Sequence, residues 1–298
     1  MEKFKSGFVT VVGKTNVGKS SIINRLVGEK VSAVANKPQT TRTRIRGIIN
    51  RENSQIVIMD TPGLHKAKSK LGNTMLENAI KSIPDVDVVL YVVDATEKSM
   101  DEKILQKIKE SNKKTILIIN KIDLVDGKKV ADLINAYKEQ YNFTAIIPVS
   151  VKKDKNIEDI LQEIESNLKE GPAYYDTEEY TDQTLRQIAE ETIREKALKF
   201  LQDEVPHGIY VEVTKMKTRK TKEMEKIYDV EATIFCLRES HKGIIIGKNG
   251  NMLKKIGTYA REDLEKTLYT KVNLKLWVKV KEDWINDMSI VKKFKAEE

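Results

Sequence analysis

Gly13-Lys14-Thr15-Asn16-Val17-Gly18-Lys19-Ser20 places glycines, a lysine and a hydroxyl in the spacing of a phosphate-binding loop. The glycines let backbone N–H groups close around phosphate oxygens at the start of a helix, where the helix dipole favours an anion. Lys19 is then expected at the β- and γ-phosphates, and the Ser20 hydroxyl on Mg2+. Taken alone, the loop suits ATP as well as GTP.

Asn120-Lys121-Ile122-Asp123 separates the two bases. A carboxylate at 123 can accept from both N1–H and the exocyclic amine of guanine. Adenine offers neither donor there and would leave the carboxylate unpaired. Asn120 suits the N7/O6 edge and can tie neighbouring loops together, while the Lys121 stem suits the face of the base. Between the two motifs stands Asp60-Thr61-Pro62-Gly63. Asp60 is expected to hold Mg2+ through water, and the Gly63 amide to touch the γ-phosphate. Pro38-Gln39-Thr40-Thr41-Arg42-Thr43 offers a threonine to the same metal, Thr41 ahead of Thr40. Loops of this kind order around a γ-phosphate and relax on hydrolysis. Ser150-Val151-Lys152 can present a backbone N–H to guanine O6. The catalytic set expected from these motifs is Lys19, Thr41, Asp60 and Gly63. Ras-type enzymes carry a water-orienting glutamine directly after the glycine, where this chain has Leu64. Leucine cannot orient water, so slow intrinsic turnover, accelerated by a partner or a second cation, is expected.

Such motifs must sit at the carboxyl ends of strands, and the chain supplies them there. Residues 8–12, 55–59, 86–93, 115–119 and 145–149 are nearly continuous apolar runs, the mark of parallel strands buried on both faces. Amphipathic segments at 20–27, 101–110, 130–141 and 157–168 alternate with them. The fold class expected is therefore an open α/β sheet, mainly parallel, with helices on both faces. Residues 171–184 carry a Gly-Pro step and four acidic side chains with no basic one, and read as a linker.

Beyond it the pattern changes to α-β-β-α-α-β. It comprises a helical stripe from Leu185 to Leu201, strands at 208–213 and 228–237 around a lysine-rich tip at 215–222, short helices around Gly247, and a strand at 272–280. In that last strand Val272, Leu274, Leu276, Val278 and Val280 alternate with Asn273, Lys275, Trp277 and Lys279, so one face should be covered and the other open. Ile246-Gly247-Lys248-Asn249-Gly250 matches the turn with which KH domains clamp a single-stranded backbone, and the element order is that of the type II KH fold. Two glycines permit close approach to phosphates, and Lys248, Asn249 and Lys254 add charge and hydrogen bonding. From Lys242 to Lys281, ten Lys/Arg stand against three acidic residues, a balance that suits single-stranded RNA. The domains expected are 1–170, a GTPase; 171–184, the linker; and 185–298, the KH domain with a C-terminal tail.

The 298 residues are 40 % hydrophobic and 33 % charged, as in globular proteins, and the net charge of +8 favours a polyanionic partner. The lone Cys236 excludes an intramolecular disulfide and reads as a buried thiol. A cytoplasmic protein is expected, since no apolar run approaches the length of a membrane span or signal peptide.

The ordered motifs resemble the branch of translation-factor-related P-loop GTPases that includes the Era, MnmE and Der families. Gln39-Thr40-Thr41-Arg42 and Asp60-Thr61-Pro62-Gly63-Leu64-His65, with a single KH domain entered through Glu195-Lys196 and Glu204-Val205-Pro206-His207-Gly208, are most similar to the Era family. That resemblance implies GTP/GDP and Mg2+ as ligands, K+ beside the phosphates at Asn16, and binding near the 3′ end of 16S ribosomal RNA. It also implies a role in assembly of the small (30S) ribosomal subunit, with peripheral contact with the cytoplasmic membrane as an addition. Nothing in the chain demands more than a monomer. A membrane-surface signalling GTPase using Lys292, Lys293 and Lys295 is the alternative, ranked lower for want of a lipidation motif or basic amphipathic helix. Asn120 to Asp123 argue against a metabolite kinase.

Overall fold

The computed structural model describes residues 3–35, 37, 45–61, 69–81, 83–97, 101–220 and 224–294. Thr40, Thr41, Pro62, Gly63 and Leu64, with their neighbours in the two expected switch loops, lie outside the described residues. So do the end of the lysine-rich tip and Lys295. The chain divides into two compact units, one spanning Met1–Ser32, Thr41–Asp182 and Phe294–Glu298, the other Ala33–Thr40 and Gln183–Lys293.

The first unit runs β1 (Lys5–Val12), α1 (Lys19–Val27), β2 (Ile45–Arg51), β3 (Ser54–Asp60), α2 (Lys70–Lys81), β4 (Val88–Asp94), α3 (Glu102–Ser111), β5 (Lys114–Asn120), α4 (Gly127–Gln140), β6 (Ala145–Pro148), α5 (Ile157–Asn167) and β7 (Lys169–Glu170). The strands are ordered β2-β3-β1-β4-β5-β6, with β7 added beside β1. β1, β3, β4, β5 and β6 are mutually parallel, and β2 is an antiparallel edge. Successive side chains of β4 serve opposite faces, which is why the apolar run is unbroken. Val88, Leu90 and Val92 join the core beneath α1 and α5, whereas Val89, Tyr91 and Val93 join the core beneath α3 and α4. Asp101 caps α3 by accepting from the N–H groups of Lys103 and Ile104, and Asp126 caps α4 by accepting from Lys129.

Three elements of this unit were not expected from the sequence: β2, α2 and the two-residue strand β7. The acidic stretch after Gly171 also differs from a free spacer. The side chain of fully buried Gln55 accepts from the N–H groups of Tyr174 (2.7 Å) and Tyr175 (2.9 Å) and donates to the Tyr175 carbonyl (2.9 Å). Thr181 forms a bridge with Gly47 of β2. The segment is thus laid along the edge of the sheet, and its backbone groups are satisfied there.

The second unit contains α6 (Leu185–Phe200), β8 (Tyr210–Lys220), β9 (Lys226–Cys236), α7 (Glu239–Ile246), α8 (Asn251–Thr267), β10 (Lys271–Val280) and the single turn α9 (Met288–Val291). Its sheet is ordered β10-β9-β8, with β9 antiparallel to β8 and parallel to β10. β8 is longer than the expected 208–213 strand. Lys215, Lys217 and Arg219 belong to it rather than to a hairpin tip: Lys217 lies opposite Asp229, Lys215 pairs with Glu231 at 3.2 Å and Arg219 with Asp229 at 2.7 Å. Thr184 caps α6 in a reciprocal box with Gln187. That helix buries three consecutive charged residues. Arg194 pairs with Glu191 at 2.7 Å, and Lys196 pairs with Glu195 at 3.2 Å and also with Asp263.

The stretch after β10 is not a loose tail. Trp284 is fully buried, packs against Tyr210 (ring centroids 4.7 Å apart) and donates its indole N–H to the Gly208 carbonyl at 2.9 Å. An indole can be buried at low cost only when its N–H finds such a partner. Cys236 is buried and free, with its thiol pushed up by desolvation.

Candidate functional site

The phosphate loop joins β1 to α1 and is held by close contacts that only small residues permit. A Cβ on Gly13 would fall 2.4 Å from the Val92 carbonyl oxygen, and one on Gly18, at φ 100°, would fall 2.3 Å from Asn120 Nδ2. α1 begins with no side-chain cap, and its amino end is the positive end of the helix dipole. Lys19 lies inside the loop, 7 % exposed, donating to the carbonyls of Gly13 (3.1 Å) and Lys14 (2.8 Å). Burial lowers its ammonium to about 8, and Asp60 opposes the shift. A buried cation held by two carbonyls is suited to receive a phosphate oxygen.

Asp60 ends β3 and is fully buried. Its carboxylate accepts from the Ser20 hydroxyl at 2.8 Å and from Ser32. Thr61 next to it donates its hydroxyl to the Val11 carbonyl at 2.6 Å, fixing the exit of the strand beside the loop. Ser20 and Asp60 are hard oxygen donors side by side, the set that Mg2+ takes. The residues present therefore fit the metal implied by the sequence.

The residues expected to read the base lie at and beyond two strand ends, those of β5 and β6. Asn120 ends β5 and donates Nδ2 to the Val17 carbonyl at 2.9 Å, tying its loop to the phosphate loop. Its Oδ1 is buried and accepts no hydrogen bond among the described residues. Lys121 donates to the Asn16 carbonyl (2.7 Å) and to Asp94 (2.6 Å). Asp123 is exposed, and its Oδ1 accepts from the buried Ser150 hydroxyl at 2.5 Å. That hydrogen bond is the main reason its carboxyl stays below the ordinary range, with Lys152 and Lys153 adding to it. Ser150 is held in turn by backbone bridges to Lys155 at 3.2 and 3.0 Å, and Val151 and Lys152 follow it in the turn. Asp123 and Ser150 share the rim of a cavity of about 430 Å3 with Ile122 and Lys153. Among the expected residues, Ser20 meets Asp60, Asn120 and Lys121 meet the phosphate loop, and Ser150 meets Asp123.

The sequence reading missed Asp94 and Glu97. Asp94 ends β4 as Asp60 ends β3, but no neighbouring motif marks it. Glu97 binds Lys14 of the phosphate loop at 2.8 Å.

In the second unit the Gly247 to Gly250 turn joins α7 to α8. Gly247 and Gly250 have φ 72° and 75°, and Asn249 between them has φ 53°. Positive φ at these three positions is a conformation that glycine and asparagine adopt more readily than other residues. The three isoleucines before it divide cleanly: Ile245 is fully buried, Ile244 is 50 % exposed and Ile246 is half-buried. From the turn a groove of about 440 Å3 runs between α8 and β10. It is lined by Gly250, Leu253, Lys254, Gly257, Arg261 and Leu276 among others. Apolar floor and basic rim are the features a single-stranded nucleic acid needs, bases inward and phosphates on the cations. Lys254 lines the groove, and Lys248, exposed, precedes it in the turn.

Comparison with known proteins finds a match in each of the two units. Residues 8–121 match the family profile described as a 50S ribosome-binding GTPase, and residues 204–285 match the KH domain. The chain is 48 % identical over 292 residues to GTPase Era of Caldanaerobacter subterraneus subsp. tengcongensis, covering 97 % of each. It is 47 % identical to GTPase Era of Clostridioides difficile, covering 98 % of each. Two solved structures superpose with a TM-score of 0.93. One is Era of Aquifex aeolicus, a tyrosine-to-alanine variant bound to GDP·AlF4−, at 39 % identity and covering 98 % of this chain and 99 % of that one. The other is Era in complex with MgGDPNP and nucleotides 1506–1542 of 16S ribosomal RNA, at 40 % identity and covering 98 % of each chain. With a phosphate loop, a guanine-reading strand end and a KH domain on one chain that matches these proteins from end to end, the chain belongs to the Era family of GTPases.

Proposed function

We propose that this chain binds and hydrolyses GTP and binds single-stranded RNA near the 3′ end of 16S ribosomal RNA, acting in assembly of the 30S subunit. The observation that carries the reading is the pairing, on one chain, of the Lys19, Ser20 and Asp60 cluster with the groove that opens from Gly250. The relatives named Era and the complex with 16S RNA support the same substrate and partner.

The roles follow from the geometry. Backbone N–H groups of residues 13–20 and the Lys19 ammonium hold the phosphates, and Asn120, Lys121, Asp123 and the Ser150 to Lys152 turn select guanine over adenine. Ser20 and Asp60, with Thr41, would hold Mg2+, which when bound neutralises charge developing on the β- and γ-phosphates. Thr61 and Pro62 carry the chain to Gly63, whose amide faces the γ-phosphate in this reading, and Leu64 leaves water positioning to groups other than its own side chain. Asn16 would lend its side chain to K+. Ile246, Gly247, Lys248, Asn249, Gly250 and Lys254 clamp the RNA backbone. The domains are assigned as 1–170, 171–184 and 185–298, with the acidic segment laid on the first unit rather than free. No described helix is long and apolar enough to cross a membrane; a cytoplasmic location fits the ribosomal role, with any membrane contact peripheral. The membrane-signalling alternative has no observation in its favour.

The test is binding of the purified protein to a short single-stranded RNA from the 16S 3′ end, with GTP analogue, with GDP and without nucleotide. Tight binding favoured by the GTP analogue is expected. Failure to bind in every state would remove the RNA half of the reading and leave the GTPase half standing.

A further inference from the structure

Asp94 is 7 % exposed, and both of its oxygens are engaged. Oδ1 accepts from the Thr96 N–H at 2.8 Å and the Thr96 hydroxyl at 2.7 Å, and Oδ2 accepts from Lys121 Nζ at 2.6 Å. The same ammonium reaches across to the Asn16 carbonyl at 2.7 Å. The loop that carries Asp94 is pinned as well, by Ala95 N–H on the Asn120 carbonyl (2.8 Å), and it touches the phosphate loop a second time through Glu97 and Lys14 (2.8 Å).

We propose that Asp94 is a positioning residue for guanine nucleotide: it fixes the Lys121 side chain between the phosphate loop and the base-reading strand end before nucleotide arrives. This inference rests on the GTPase reading above. A lysine on an exposed turn is among the side chains with most rotamer freedom, and ordering it is a cost that binding otherwise bears. Here the cost is met in the folded protein. Burial works against a charged Asp94, but the hydrogen bonds from Lys121 and Thr96 outweigh it and hold the carboxyl below the ordinary range. The carboxylate is therefore charged throughout the neutral range, and the Lys121 ammonium has a permanent anchor. Both ends of that anchor lie in loops that nucleotide must touch, which is why its effect should fall on affinity rather than on the chemical step.

The experiment compares wild type with Asp94→Asn, Lys121→Ala and the double variant, measuring Kd for GDP and a GTP analogue, KM and kcat, and the unfolding temperature without nucleotide. Asn keeps the acceptor for Thr96 and loses the ion pair. Asp94→Asn is expected to weaken GDP and GTP analogue equally, by about ten-fold, raising KM with kcat at saturation unchanged. In the Lys121→Ala background the same change should do almost nothing further. Wild-type affinity in Asp94→Asn, or a loss that persists undiminished without Lys121, overturns the proposal. Should Asp94→Asn fail to fold, Thr96→Val supplies the test: a smaller weakening supports it and unchanged affinity overturns it. A wild-type protein that binds no guanine nucleotide overturns this inference and the GTPase reading together, whereas tight wild-type binding matched by Asp94→Asn overturns the role of Asp94 alone.

Discussion

The Ser150 hydroxyl donates to Asp123 Oδ1 at 2.5 Å, so the residue proposed to read the base is oriented from a different strand end than its own. The bond engages one carboxylate oxygen and favours the ionised form that guanine's two donors require. Asp123→Asn replaces an acceptor with an amide that can offer N–H to the 2-oxo group of xanthine. GTP affinity should fall by roughly 10^4, with XTP binding gained. Ser150→Ala should weaken GTP without that exchange of specificity. Titration of both variants with labelled GTP and XTP checks this, and equal GTP affinity in Asp123→Asn would remove Asp123 from base recognition.

Lys19 is held charged at a cost in the folded protein, since burial lowers it from 10.5 to about 8. A lysine depressed on folding binds fewer protons in the native state than in the unfolded one between those two values. Stability therefore rises as pH rises from about 8 towards 10.5. The shift, at about 1.4 kcal/mol per unit, is on the order of 3 kcal/mol at neutral pH. Lys19→Met should accordingly raise the unfolding temperature of the nucleotide-free protein at pH 7 while abolishing nucleotide binding. The gap between the two proteins should narrow as pH passes 8. Parallel melting curves across pH 7 to about 10 would show that the ammonium bears no such penalty.

Much of the nucleotide site was legible because its chemistry is local. Gly13 to Ser20 and Asn120 to Asp123 are contiguous, and each follows an apolar run whose carboxyl end places it. Asp94 was not legible, because its partner lies 27 residues further on and a single aspartate after a strand carries no motif. β2 escaped notice because Arg46, Gly47 and Asn50 break the apolar pattern of an edge strand. The segment after Gly171 has a linker's composition, and its docking rests on remote partners, the side chain of buried Gln55 and the edge strand β2, that nothing in its own sequence announces. Likewise nothing local says that Trp284, set among charged residues, will be fully buried against Tyr210.

Asn16 is exposed with φ 65°, and its carbonyl is already engaged by Lys121, which leaves its side chain beside the phosphate loop as the group able to join a monovalent cation. With Leu64 in place of a water-orienting residue, such a cation would supply transition-state charge that the protein otherwise lacks. GTP turnover in K+ should exceed that in Na+ several-fold, and Asn16→Ala should erase the difference while nucleotide still binds. Steady-state hydrolysis in the two salts at equal ionic strength decides it, and identical rates would dispose of the potassium role.

The two glycines of the KH turn should respond differently to substitution. A Cβ on Gly247 would lie 2.7 Å from Met252 Cβ and 3.0 Å from its backbone nitrogen, in a part of the turn that cannot yield cheaply. Gly247→Ala should therefore destabilise the unit by several kcal/mol, on the order of a clash within packed structure. Around Gly250 a Cβ meets nothing within 4 Å, and the remaining cost is that of φ 75°, about 1 kcal/mol for a residue such as Asp that tolerates the left-handed region. Gly250→Asp should thus melt close to wild type yet place a carboxylate at the mouth of the groove shared with Lys254 and Arg261. Loss of RNA binding with folding and GTP hydrolysis intact is the expected result, measured by RNA titration beside thermal unfolding. Retained RNA affinity in a folded Gly250→Asp would mean that the strand does not pass over this turn.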